Sequence, residues 1–350
     1  MNGTLPSAED IRKARLDNPK LRERDLAARL GISEADYVAA WTGYGVRRIS
    51  TDFEALFPGL EALGEVMALT RNEFAVHEKI GVFDRYIHGR NTAMMLGEQI
   101  DMRMFARHWV HGFAVEFDTG ETIKRSFQFF DASGEAVHKV HLRPASDVSA
   151  WQALADRLAL PDQTIPVAAT AYPRTSPVND NAVPHETLRQ RWEGMTDTHQ
   201  FVGILKDLEL SRLKAIESIG EDFAWQLAPD AVHAMMLAAV DDGLPIMCFV
   251  GNRGCIQIHS GPLHNVATMG PWVNVMDPTF HLHLRADKIA QTWAVRKPVD
   301  KGHVSSIEAY DTEGELIIQF FGKRIEGQDE RSNWRAIVES LPRLSDTRAA

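Results

Sequence analysis

Phe130-Asp131-Ala132-Ser133-Gly134-Glu135 and Tyr310-Asp311-Thr312-Glu313-Gly314-Glu315 read as one turn written twice, 180 residues apart. The match extends outward from that turn. Residues 66–145 lie on 246–325 at the same offset without a gap, with Met67 on Met247, Asn72 on Asn252, Gly81 on Gly261 and Ala114-Val115 on Ala294-Val295. Each copy reads as strand, turn, strand, with a glycine where a hairpin turn wants one. Identity between the copies is low, yet a gapless register over roughly eighty positions with matching apolar sites argues for duplication. A duplicated fold places a pseudo-symmetric cleft between its copies, and clefts are where ligands bind.

At 350 residues the chain suits two domains. The boundaries expected are an N-terminal repeat over 1–170, a linker over 171–184 and a C-terminal repeat over 185–350. The linker is read from Pro173, Pro177 and Pro184 set among Ser, Asn and Asp. The 44% hydrophobic and 25% charged residues are those of an ordinary globular protein. No apolar run approaches the roughly 18 residues of a membrane span. The N-terminus lacks a basic stretch followed by an apolar core, so the expected location is the cytoplasm. A net charge of −10 argues against a general nucleic-acid binder. Cys248 and Cys255 match neither a redox pair nor a zinc pattern, and read as buried free thiols.

Residues 8–43 read as helical. Arg24 to Ser33 resembles the opening of a helix-turn-helix, with Gly31 at the turn and Ser33 capping the next helix. The helix that would read DNA is Glu34-Ala35-Asp36-Tyr37-Val38-Ala39-Ala40-Trp41, acidic and apolar, so a structural hairpin is the better reading. Strands dominate from Glu65 to Leu142, and a helix near 148–159 closes the first half. Helices are expected over 185–194, 199–218 and 228–240, then strands from Ile246 to Lys323 and a helix over 330–341. Strands grouped in this way specify α+β with antiparallel sheets. Gly251-Asn252-Arg253-Gly254 has neither the spacing nor the following helix of a phosphate loop.

Fourteen histidines make His the residue to question. The pairs His108/His111, His138/His141 and His281/His283 lack a carboxylate at metal-binding spacing, so they read as hydrogen-bonded polar histidines. His199 differs. Met195-Thr196-Asp197-Thr198-His199-Gln200-Phe201 opens a helix carrying Phe201, Ile204, Leu205 and Leu208 at helical spacing, with Thr196 and Asp197 as caps. A first-turn imidazole is held at its backbone while its ring projects outward, a disposition that suits ligation of haem iron. On this local pattern alone a capping or core histidine is the commoner outcome.

Thr196-Asp197-Thr198-His199-Gln200-Phe201 followed by Ser211-Arg212-Leu213 resembles a motif of the HemS-type hemin transport and degradation proteins of Gram-negative bacteria. So do Leu69-Thr70-Arg71-Asn72-Glu73 with Val76-His77-Glu78-Lys79, and Leu96-Gly97-Glu98-Gln99-Ile100-Asp101-Met102-Arg103 leading to His108-Trp109. In the second half the matching blocks are 254–262, 280–285 and Val295-Arg296-Lys297-Pro298, all in order across nearly the whole chain. The resemblance implies a tandem α+β repeat with large antiparallel sheets holding one haem b in a cleft between the halves. It implies His199 as the axial iron ligand and Arg103 on the distal face, where it would be catalytic in an enzyme. Arg212 and Lys297 would pair with the propionates, Phe105, Met247 and Phe249 would form apolar walls, and Gln319 would lie near the pocket edge. Phe321 stands where some relatives carry a tyrosine that contacts the haem region.

The resemblance therefore implies haem trafficking in iron uptake, between an inner-membrane importer and a downstream haem acceptor or oxygenase. The alternative is a haem-degrading enzyme that opens the porphyrin ring and releases iron. No flavin or nicotinamide motif is present, so such an enzyme would draw electrons from an external reductant. No nucleic-acid partner is expected, and a homodimer is an open possibility.

Overall fold

The computed structural model describes residues 5–89, 92–164, 167, 169–170, 182–324 and 329–344. Residues 171–181 of the expected linker lie outside these. The first repeat opens with helices α1 (Ala8–Asp17), α2 (Glu23–Leu30) and α3 (Glu34–Ala39), then strand β1 (Val46–Ile49) and helix α4 (Phe53–Leu60). Strands β2 (Val66–Arg71), β3 (Ala75–Gly81), β4 (Tyr86–Ile87), β5 (Ala93–Leu96) and β6 (Asp101–Met104) follow. Strands β7 (His111–Asp118), β8 (Ile123–Phe130) and β9 (Ala136–Leu142) and helix α5 (Val148–Leu158) complete it.

The second repeat contains α6 (His185–Glu193), α7 (Gln200–Asp207), α8 (Arg212–Ser218), β10 (Ala224–Leu227) and α9 (Ala231–Asp241). Its strands continue as β11 (Ile246–Gly251), β12 (Cys255–Gly261), β13 (Val266–Met269), β14 (Trp272–Met276) and β15 (Phe280–Arg285). Last come β16 (Gln291–Pro298), β17 (His303–Tyr310), β18 (Leu316–Gly322) and α10 (Ser332–Ser340). The strands form two nine-stranded sheets, and the chain is α+β.

The duplication read from the sequence is the duplication of the fold. The order β1-β7-β8-β9-β2 recurs as β10-β16-β17-β18-β11. Ala114 pairs with Phe127, and Ala294 with Ile307, each exactly one repeat length on. Even the irregularity recurs, with a register shift at Phe129/Phe130 and again at Ala309/Tyr310. The shift adjoins the turn at 131–135 and again at 311–315. Asp131 Oδ1 accepts from the backbone N–H groups of Ser133 and Glu135, and Asp311 Oδ1 from those of Glu313 and Glu315. Gly134 and Gly314 take φ of +80° and +78°, a conformation that side chains with a Cβ resist.

By contact the chain divides into two compact units, one of residues 1–71, 77–172 and 251–257, the other of 72–76, 173–250 and 258–350. Each unit thus includes a hairpin turn contributed by the other repeat. In the first unit Asn252 Nδ2 donates to the carbonyls of Arg71 and Val137, both at 2.9 Å. Its Oδ1 accepts from Gly254 and Cys255 N–H, both at 3.0 Å. In the second unit Asn72 repeats the arrangement, donating to Ile317 at 2.7 Å and accepting from Phe74 and Ala75. The 251–254 segment is therefore a hairpin turn whose polar atoms serve the fold.

One helical expectation is modified. The single helix expected over 199–218 is two, α7 and α8, because Glu209 adopts φ of +53° and breaks the run. Ser211 then caps α8 by accepting from Lys214 N–H. At the N-terminus Ser33 caps α3 as expected, and Asp36 makes the cap a reciprocal capping box. Five of the six residues of α3 are buried, Glu34 included, so the helix has no outward face with which to read DNA.

Candidate functional site

In the second unit α9 and α10 cover one face of the β10-β16-β17-β18-β11 sheet, packing Val232, Met235, Trp334 and Ile337 with Cys248, Ile307 and Phe320. The other face carries a different set. Phe249 lies opposite Gln319 and Met247 opposite Phe321. Gln319 lies opposite Glu308, and Phe321 opposite Ser306. Ser306 lies opposite Val295, and Glu308 opposite Trp293. Directly opposed residues share a face, and so do alternate residues along a strand. Lys297, Glu308, Gln319, Phe321, Phe249 and Met247 therefore stand on one surface.

Helices α6 to α8 pack over part of that surface, placing Trp192, Phe201, Ile204 and Leu213 against Val295 and Tyr310. Met247, Phe249, Gln319 and Phe321 are half-buried. The Phe249 and Phe321 rings meet edge to face, with centroids 5.1 Å apart. Gln319 Nε2 is a buried amide nitrogen with no hydrogen-bond acceptor among the described residues. An unsatisfied buried donor is costly, and it marks a place where a ligand atom would be welcome.

The two cations assigned to propionates converge on a third residue that the sequence reading missed. Arg212, at the first position of α8, grips Glu308 with Nε at 2.8 Å and Nη2 at 2.9 Å. Lys297 Nζ donates to Glu308 Oε1 at 2.8 Å. The Ser306 and Tyr310 hydroxyls donate to the same carboxylate at 2.8 and 2.5 Å. Both cations also lie against the Phe201 ring, Lys297 Nζ at 4.9 Å and Arg212 Cζ at 5.1 Å from its centroid. Burial opposes the Glu308 charge, but the two cations and their hydrogen bonds hold its pKa well below the ordinary carboxylate value. Burial pulls the Lys297 ammonium down to about 8, with Glu308 opposing that shift. One signal was available in the sequence. In the self-alignment Glu308 falls on Gln128 and Tyr310 on Phe130, so the second copy gains a charge and a hydroxyl within a buried strand.

His199 is the N-cap of α7 and its side chain is 95% exposed. Its Nδ1 lies 2.7 Å from Asp197 Oδ1, which also accepts the His199 backbone N–H at 2.7 Å. With Nδ1 so engaged, the neutral ring carries its proton on Nδ1 and presents the Nε2 lone pair outward. Asp197 thus orients the histidine, a closer role than the helix cap expected of it. Gln200 braces the turn: its Oε1 accepts from Thr196 N–H and its Nε2 donates to Thr196 Oγ1. Thr196 in turn accepts from Asp300 N–H at 3.0 Å, which ties the turn to the loop after β16.

Arg103 and Phe105 belong to the first unit. Arg103, on β6, is ion-paired with Asp101 and donates to the Met102 carbonyl at 3.1 Å. Phe105 is half-buried, and its N–H donates to Gly254 O at 3.0 Å.

Other histidines are held by neighbours. His138 Nδ1 is bonded to Thr70 Oγ1 at 2.9 Å, and His283 Nδ1 to Asn274 Oδ1 at 2.7 Å. Among the described residues no group of three or more His, Cys, Asp or Glu side chains is placed to hold a metal ion. Cys248 and Cys255 are buried free thiols, and burial pushes the pKa of Cys255 to about 12. No helix among the described residues is long and apolar enough to cross a membrane.

These features define a tandem α+β protein with an exposed histidine at the start of α7 and a half-buried sheet face in the same unit. Comparison with known proteins then specifies the class. The family model of the Haemin-degrading HemS.ChuX domain matches twice, at residues 31–158 and 209–341. Each match begins shortly before a capping serine, Ser33 or Ser211. The chain is 36% identical to the hemin transport protein HmuS of Yersinia pestis over 332 residues, covering 94% of this chain and 95% of that protein. It resembles the holo form of PhuS, a heme-binding protein from Pseudomonas aeruginosa, with a TM-score of 0.93 and 41% identity over 96% of this chain and 98% of that one. It likewise resembles ChuS, an E. coli heme oxygenase, with a TM-score of 0.86 and 33% identity over 95% of this chain and 99% of that one. The chain belongs to the HemS/ChuX haemin-degrading family.

Proposed function

We propose that this protein binds haem through His199 and passes it onward in the cytoplasm as part of haem-iron uptake. The observation that carries the proposal is the His199–Asp197 pair, an imidazole whose Nδ1 is held by a carboxylate and whose Nε2 faces outward. Hydrogen bonding of this kind fixes the tautomer and raises the basicity of the ligating nitrogen. The half-buried Met247, Phe249 and Phe321 offer apolar surface to a macrocycle, and covering such surface stabilises by about 25 cal/mol per Å². Arg212 and Lys297 supply positive charge for carboxylates of the cargo. Gln319 supplies an unused amide donor on the same face.

A second reading is ring-opening degradation, favoured by the similarity to a heme oxygenase. In that reading Arg103 orients the distal ligand by charge-assisted hydrogen bonding, and an external reductant provides electrons. The inner-membrane importer and the downstream acceptor of the cargo belong to the proposal, as does a homodimeric state.

A hemin titration followed by reductant under air, watched by visible absorbance, tests both readings. A saturable one-to-one Soret shift that survives the reductant supports trafficking. The same shift followed by Soret loss, new long-wavelength bands and iron release supports degradation. The absence of a saturable shift would overturn haem binding altogether.

A further inference from the structure

We infer that Glu308 is a positioning residue that joins Arg212 and Lys297 into one receptor for a single carboxylate of the cargo. This rests on the proposal that the second unit binds haem. Glu308 is fully buried, and every hydrogen bond described above brings a donor toward it, none away. Without it, two cations would stand together at the edge of an apolar sheet face and repel each other. With it, two positive charges and one negative leave a net charge of +1. That remainder is presented by Arg212, whose side chain is 26% exposed while that of Lys297 is 3% exposed. Arg212 commits Nε and Nη2 to Glu308, and a guanidinium has further N–H groups for a second acceptor. A partly buried charge without a full partner favours the arrival of an anion.

The first repeat serves as an internal control. The residue after the capping serine is Glu34 in α3, where α8 has Arg212. Gln128, Phe130 and Phe117 stand where the second repeat has Glu308, Tyr310 and Lys297. Glu34 is paired with Arg71 and with Lys139, and the three side chains are between 5% and 9% exposed. The same helix start thus builds a closed ion cluster in one repeat and an open one in the other. Among the described residues the first repeat has no counterpart of the Arg212–Glu308–Lys297 cluster.

The test compares hemin with its dimethyl ester, which lacks free carboxylates, by Soret titration of the full chain. The wild type should prefer hemin by roughly tenfold or more, the value of one charge-assisted pair. Glu308→Gln should shrink that preference to about threefold or less with the Soret position unchanged, because the His199 turn does not depend on Glu308. If Glu308→Gln does not fold, Tyr310→Phe serves instead, removing one donor and lowering the preference roughly two- to fivefold. An undiminished preference in the folded variant would overturn the role of Glu308. A wild type that binds both porphyrins equally would overturn the carboxylate receptor and leave haem binding intact. A wild type that binds neither would overturn the haem reading itself.

Discussion

Asp197 Oδ1 sits 2.7 Å from both the Nδ1 and the backbone N of His199, so one carboxylate oxygen orients the ring and fixes the chain beneath it. Removing the carboxylate should leave the imidazole in place but free to turn. Asp197→Ala is expected to weaken hemin binding about 10- to 100-fold, the usual effect of losing such a partner. Gln200→Ala should have a smaller effect in the same direction, because it loosens the turn and leaves the Asp197 contact. Equilibrium hemin titrations of both variants check the order.

Glu34 is a stability prediction. It is buried with Arg71 and Lys139, and despite burial these cations pull its pKa to about 2. Glu34→Gln leaves two buried cations without their counter-charge and should destabilise the protein by about 3–5 kcal/mol. Urea unfolding followed by tryptophan fluorescence measures it, and hemin affinity in the folded fraction should be unchanged.

Acid should act on the same unit from a second direction. Burial lowers the pKa of His138 to about 3 and that of His141 to about 4, so the folded protein keeps both neutral. The unfolded chain protonates them near the ordinary value of about 6.5. Their contribution is therefore fully present above pH 6.5 and declines as pH falls toward 4 and then 3. The depressed Glu34 adds a further loss as pH falls from about 4.5 toward 2. Thermal unfolding midpoints should fall steadily below pH 6.5. A midpoint that stays flat between pH 6.5 and 4.5 would contradict the neutrality of His138 and His141 in the folded protein.

Asn252 offers a test of the duplicated turns. Asn252→Ala removes two donated and two accepted hydrogen bonds and should cost about 2–4 kcal/mol. Asn72→Ala should behave similarly, since Asn72 makes the corresponding bonds in the other unit. Chemical denaturation of the two single variants provides the comparison.

The register of the repeat was legible because Asp131 and Asp311, with Gly134 and Gly314, set turns whose chemistry cannot slip by a residue without losing the αL position. The division between α7 and α8 was hidden because no Gly or Pro stands between Leu208 and Ser211 to signal a break. Ser211 was the visible clue to it. Periodicity placed Met247, Phe249 and Gln319 on strands but could not say that β11, β17 and β18 bring them onto one surface. That depends on long-range register, which a single sequence does not display. The role of Glu308 was hidden for a related reason, although its alignment on Gln128 was a signal: a carboxylate within a strand reads as solvent-facing until the cations that bury it are located. Nor could the sequence show that residues 251–257 pack within the unit built from the other repeat.

Ligation of haem iron by His199 is tested by the Soret spectrum of the ferric hemin complex, recorded for the wild type and for His199→Ala. The wild type is expected to form a saturable complex, and the variant to show a lost or shifted Soret band with weakened binding. An identical band and affinity in His199→Ala would remove His199 from the iron and contradict the site proposed for this protein.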